Sequence, residues 1–153
     1  MNLSQGTRRI ASALAALVLG TVVAIMAQEP AHAATCRPGQ CNDQDPQVTG
    51  CANDARNLES FRYQGSSPWL QNTLLELRYS PTCDTAWVRT TGGDCFDVWR
   101  PCVAVLQVSG GPELQGGPTG GQHWTNMWSF SYTLRGCFRS GNDLHLDGCT
   151  RWR

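Results

Sequence analysis

Eight cysteines, at positions 36, 41, 51, 83, 95, 102, 137 and 149, constrain this chain more than any other feature. None lies in the first 35 residues. An even number of cysteines in an exported chain reads as a disulfide framework. We therefore expect Cys36, Cys41, Cys51, Cys83, Cys95, Cys102, Cys137 and Cys149 to be paired with one another. Eight cysteines allow about a hundred connectivities, and spacing alone does not choose among them. Each bridge contributes roughly 2–4 kcal/mol, mainly by restricting the unfolded chain.

Export is read from the N-terminus. Arg8 and Arg9 precede an uncharged, mostly apolar run from Ile10 to Ala27, and Ala31-His32-Ala33 follows as a small-x-small cleavage signal. That order describes a secretory signal peptide. Residues 1–33 are read as that peptide and 34–153 as one disulfide-rich secreted domain. A twin-arginine signal fits poorly, because Ala11 and Ser12 follow the arginine pair. Lipidation at Cys36 would leave an odd number of cysteines. The expected localisation is extracellular, with no membrane contact after cleavage. About 120 residues can bury one hydrophobic core and not two.

Beyond residue 33 the chain carries ten arginines, no lysine and eleven acidic residues, a net charge of −1. No basic stripe is present, so a nucleic-acid partner is not expected. The stretch "LLELRYS" alternates Leu75, Leu77 and Tyr79 with Glu76 and Arg78, the period of a half-buried strand. "SPTCD" then turns the chain into a second strand, "TAWVRTT", giving a hairpin. "FDVW" and "VAVLQVS" read as two more strands. "ANDARNLES" suggests one or two helical turns. The segment 109–122, with three Gly-Gly pairs, reads as a mobile surface loop. "HWTNMWSFSYTLRGC" reads as a long strand with Trp128, Phe130, Tyr132 and Leu134 on one face. "RSGNDLHLDGC" reads as a hairpin about Gly141-Asn142, whose register opposes Cys137 to Leu146. The fold class expected is all-β, a small disulfide-stapled sandwich or barrel.

Local motifs for chemistry are scarce. Zinc sites use two cysteine pairs, each with two to four residues between its members, whereas here C-x4-C is followed by C-x9-C and no C-x2-C occurs. A thioredoxin-like C-x2-C is missing as well. Counting a calcium loop from Asp43 puts Val48 where a glycine must turn sharply, so Asp43 and Asp45 read as turn formers. No nucleophile elbow occurs, and His123 and His145 read as surface or structural residues. No catalytic residue, metal or cofactor is therefore expected, and the balance is against an enzyme. Six tryptophans, all beyond residue 68, are the one compositional excess. Trp87 and Trp128 lie within strand patterns and read as core. Trp69, in a Ser-Pro loop, and Trp152, beside the C-terminus, are the candidates for an exposed binding surface.

"DPQVTGCANDA" at 45–55 and "LELRYSPTCDTAWVR" at 75–89 carry a resemblance. Through Asp45, Pro46, Gly50 and Cys51, then Glu76, Leu77, Arg78, Tyr79, Ser80, Cys83 and Trp87, the chain resembles the YjfA-like secreted proteins of Gram-positive bacteria, common in actinomycetes. Cys95, Cys102 and the glycine-rich segment depart from that pattern. The resemblance implies a secreted, cysteine-bridged module without established activity, and bridges among Cys36, Cys41, Cys51 and Cys83. It also suggests that Glu76 and Arg78, two apart on one strand face, form a fixed surface pair and a candidate binding site; the plainer alternative is a solvated face. The function expected is a non-enzymatic binding module whose partner is cell-wall glycan or a secreted protein. The alternatives are an inhibitor of a secreted enzyme, presenting 109–122 or "SSPWL", and a hydrolase without a local motif.

Overall fold

The computed structural model describes residues 34–66, 70–94, 102–118, 120–140 and 146–153. The expected signal peptide, Cys95, Trp69, Trp99, His145, the "FDVW" strand and the Gly141-Asn142 turn lie outside these residues. Among the described residues, nine strands form two antiparallel sheets, which makes the fold a sandwich. The first sheet contains β1 (Arg56–Arg62), β2 (Leu74–Ser80), β3 (Thr85–Asp94), β6 (Gly120–Trp124) and the two-residue β7 (Trp128–Ser129). Its order is β1-β2-β3-β6, with β7 pairing the other end of β3. The second sheet has the order β5-β4-β8-β9, with β4 at Cys102–Val108, β5 at Glu113–Pro118, β8 at Leu134–Ser140 and β9 at Leu146–Cys149.

The β2–β3 hairpin is the one the alternation predicts. Leu75 opposes Thr90, Leu77 opposes Val88 and Tyr79 opposes Ala86, so one row of side chains points to the second sheet. That row meets Ala104, Leu106 and Val108 of β4 and Leu134 and Phe138 of β8 in the main core. Phe138 receives the ring edges of Phe61 and Tyr63 at 5.5 and 5.9 Å. Gly136 lies in the same inward row of β8. A Cβ there would stand 2.8 Å from Val88 Cγ2 and 3.1 Å from Leu75 Cδ2. The missing side chain is what lets the sheets close at this point.

The opposite face of the first sheet is also covered. Residues 34–55 form turns and a single 3-10 turn, Cys51–Asp54, lying over β3. Beneath them Cys41, Cys51, Cys83, Trp87 and Met127 make a second buried cluster. Thus Trp87 is core, but on the face away from the main core. Backbone bonds from Asp43 N to Met127 O and from Met127 N to Gln44 O hold this layer in place. The bridges Cys36–Cys41 and Cys51–Cys83 staple it, as the resemblance implied.

Several expectations need correction. Helical turns were expected over "ANDARNLES", yet only Cys51–Asp54 is helical and Arg56–Arg62 is the edge strand β1. Pairing with β2 outweighs the weak helical propensity there. The glycine-rich segment is not a mobile loop: β5 closes the edge of one sheet and β6 the edge of the other. A Cβ on Gly116 would sit 2.7 Å from Trp124 O, so glycine is needed where β5 comes against the end of β6. "HWTNMWSFSYTLRGC" is not one strand either. It breaks after Trp124, and Met127 turns into the second cluster while Tyr132 is exposed. Finally, Cys137 opposes Cys149 and is bridged to it, not set against Leu146. A register shift between Phe138 and Arg139 leaves Arg139 opposite Leu146. The facing Cα atoms come within 4.0 Å, as in the narrow pairs of an antiparallel ladder.

Two outcomes test this packing. The Cys51–Cys83 bridge spans 32 residues and Cys36–Cys41 only five. Chain entropy then predicts a loss of about 3.5 kcal/mol for C51S/C83S and about 2 kcal/mol for C36S/C41S in urea melts. Gly136→Val should cost roughly 1–3 kcal/mol by overpacking, with the midpoint lowered and the slope unchanged.

Candidate functional site

Among the described residues, each sheet carries a cluster of polar side chains on the face away from the main core. On the first sheet, Glu76 is buried, with only 5 % of it exposed. Its two carboxylate oxygens accept from Asn57 Nδ2 and from Arg89 Nε, each at 2.6 Å. Arg78 donates to Asn57 Oδ1 at 2.8 Å and to the Ala55 carbonyl at 2.9 Å. Burial pushes the Glu76 carboxyl up. The bonds from Arg89 and Asn57 and the arginine charges outweigh it, so the group titrates below the ordinary glutamate range.

Glu76 and Arg78 therefore do share a face, but the expectation of a solvated surface pair is corrected. Asn57 stands between them, and the direct ion pair of Glu76 is with Arg89, its register partner on β3. Asn57 is the register partner of Arg78 on β1, which brings its amide between the two side chains. With both oxygens engaged, Glu76 is a latch joining β1, β2 and β3.

The second place is the outer face of the other sheet. Gln107 of β4 opposes Arg135 of β8 and Glu113 of β5, so three polar side chains meet. Arg135 Nε donates to Gln107 Oε1 at 2.8 Å, and Gln107 Nε2 donates to Glu113 Oε2 at 3.0 Å. The other Glu113 oxygen pairs with the buried Arg139 at 2.6 Å. The Arg139 bond draws the Glu113 carboxyl below its ordinary range, despite partial burial.

Trp152 completes this face. The C-terminal residues run on along β8, with Thr150 N bonded to Gly136 O and Arg153 exchanging two backbone bonds with Leu134. Arg151 and Arg153 both reach Glu59, at 3.3 and 2.8 Å. Their neighbour Trp152 is set over Arg135, whose guanidinium lies 4.5 Å from the indole centroid. This cation–π contact orients the ring. Trp152 remains 43 % exposed. It lines an open cleft of about 380 Å³ with Gln107, Glu113 and the turn Ser109-Gly110-Gly111-Pro112.

Trp152 is thus exposed as the sequence suggested, whereas Trp69 lies outside the described residues. Gln107, Glu113, Arg135 and Arg139 were not singled out. Alternation in "VLQVS" and "LRGCFRS" already puts Gln107, Arg135 and Arg139 on a polar strand face. Glu113 was hidden because its segment read as a loop. Asp45 behaves as a turn former: its Oδ1 accepts the Gln47 and Val48 amides at 2.7 and 3.1 Å. Its Oδ2 also accepts the Trp124 indole N–H at 3.0 Å, a long-range contact that no local pattern announces.

The latch has a pH signature. A carboxyl lowered in the folded state stabilises above its unfolded pKa, and that stability is lost as pH falls through the folded value. Glu76→Gln should therefore cost about 1–3 kcal/mol near neutrality. The deficit against the parent should shrink below about pH 4, as read from thermal melts across pH.

A family model described as "Protein of unknown function (DUF2690)" matches residues 39–126. The matched stretch holds Cys41, Cys51, Cys83 and the Glu76 latch; β8 and Trp152 lie beyond it. No curated protein and no solved structure matches the chain. Because the match covers more than half of its length, the chain belongs to the DUF2690 family of proteins of unknown function.

Proposed function

We propose that this is a secreted, non-enzymatic binding module acting at the cell surface, with the Trp152 cleft as its ligand site and a sugar chain such as wall glycan as its ligand. The observation that carries the reading is an exposed indole fixed beside Gln107 and Glu113 at the edge of an open cleft. A sugar ring offers an apolar C–H face to an aromatic plane and hydroxyls to planar amide and carboxylate groups. Ligand sites commonly combine such an aromatic wall with a few placed polar groups. Arg135 and the Glu59 clamp hold Trp152 in advance, which reduces the ordering cost of binding. Export is supported by the basic-then-apolar N-terminus and by three bridges among the described cysteines. The YjfA-like resemblance, with its Gram-positive and actinomycete setting, makes such walls the natural first ligand.

The test is sedimentation of purified residues 34–153 with insoluble actinomycete cell walls. The expected result is saturable pelleting that falls at least tenfold in affinity for Trp152→Ala, with an unchanged circular dichroism spectrum. Protein left wholly in the supernatant would overturn the wall reading and direct the search to a soluble secreted enzyme as partner.

A further inference from the structure

The sulfurs of Cys36, Cys41, Cys51 and Cys83 all lie within 4.8 Å of one another. The two bridges they form touch, with Cys36 Sγ 3.6 Å from Cys51 Sγ. No local spacing foretold this, because the fold brings together residues from the N-terminal turns, the 3-10 turn and the β2–β3 turn. Four cysteines around one point are the donor set of a tetrahedral thiolate site. With Zn–S bonds of about 2.3 Å, the edges of such a tetrahedron are about 3.8 Å, which the contact between the bridges nearly matches. The Cα separations within the two pairs are 5.5 and 5.8 Å. They leave room for the sulfurs of each pair to part by side-chain rotation once the bond between them is gone.

The surroundings suit such a site. Cys41, Cys51 and Cys83 are fully buried, and Trp87 and Met127 pack beside them. The Thr49 hydroxyl lies 3.2 Å from Cys51 Sγ, where it can support a thiolate. We propose that the reduced form of this layer is a tetrathiolate site for a soft divalent ion, zinc foremost, formed by Cys36, Cys41, Cys51 and Cys83. The oxidised and metal-bound states are two alternative ways of tying the same layer to β3. In the conversion each disulfide takes two electrons and two protons from a dithiol, which itself becomes a disulfide. Zinc then binds the four sulfurs as thiolates, and their four protons pass to water. Since metal binding to folded protein is folding free energy, the ion replaces the stabilisation the bridges supplied.

The experiment reduces residues 34–153 with a dithiol, exchanges the protein into metal-free buffer without oxygen, and titrates in Co²⁺, then Zn²⁺. The expected result is the intense visible absorption of tetrahedral tetrathiolate cobalt, saturating at one ion per chain and bleached by zinc. Zinc should also raise the melting temperature of the reduced protein. C137S/C149S should keep the cobalt bands and C36S/C41S should lose them. C36S/C41S removes the shortest staple, and its fold is checked by circular dichroism before reduction. Absence of tetrathiolate bands, or bands that survive in C36S/C41S, would overturn the proposal. So would a reduced protein whose melting zinc leaves unchanged.

Discussion

The Cys51–Cys83 bridge is the tie on which the outer layer depends. Residues 34–55 have almost no regular structure of their own, and so no ladder of backbone bonds to hold them down. Yet they must cover Trp87, Thr85 and Met127, which β3 and the segment after β6 present on the face away from the main core. The bridge anchors the layer at the β2–β3 turn. Asp54 reinforces it by accepting the Ser80 hydroxyl at 2.5 Å and the Thr82 amide at 2.8 Å. With this cover, Thr85 and Trp87 on the second face of β3 are buried as well. The Glu76 latch works on the same face, because a carboxylate so covered needs both oxygens paired.

The other sheet solves a different problem. Its inner face is apolar and packs through Gly136 onto β2 and β3, while its outer face carries Gln107, Arg135, Arg139 and Glu113 in one connected set of bonds. The C-terminal residues extend β9 along β8, and the alternation of side chains then separates Arg151 and Arg153 from Trp152. Two arginines on Glu59 and one indole on Arg135 follow from that single geometric rule. Exposed ion pairs of this kind contribute little stability. Their effect here is to set the orientation of Trp152.

Much of the strand content was legible. "LLELRYS" and "TAWVRTT" declare a hairpin because alternation survives wherever one face meets a core. Trp152 was legible as a surface aromatic from its place beside the C-terminus. The glycine-rich segment was misread because glycine has the same local signature in a flexible loop and where two backbones must touch. Only the 2.7 Å approach of a Gly116 Cβ to Trp124 O tells the cases apart. The register of β8 with β9 was misread because Leu146 already opposes Arg139, two places from the expected Cys137, and the irregularity between Phe138 and Arg139 adds a third.

The sequence by itself determined that the chain is β-rich and cysteine-stapled, with one alternating hairpin near its centre. Those properties depend on residue type and on spacings of two to a few residues. The tertiary structure alone decided which cysteines pair, that four sulfurs converge and that Glu76 is buried. It also decided that Trp152 shares a cleft with Gln107 and Glu113. Apart from the five-residue Cys36–Cys41 bridge, these join residues from a dozen to many tens of positions apart, and their meeting is set by sheet order, register and layer packing, which no local pattern encodes.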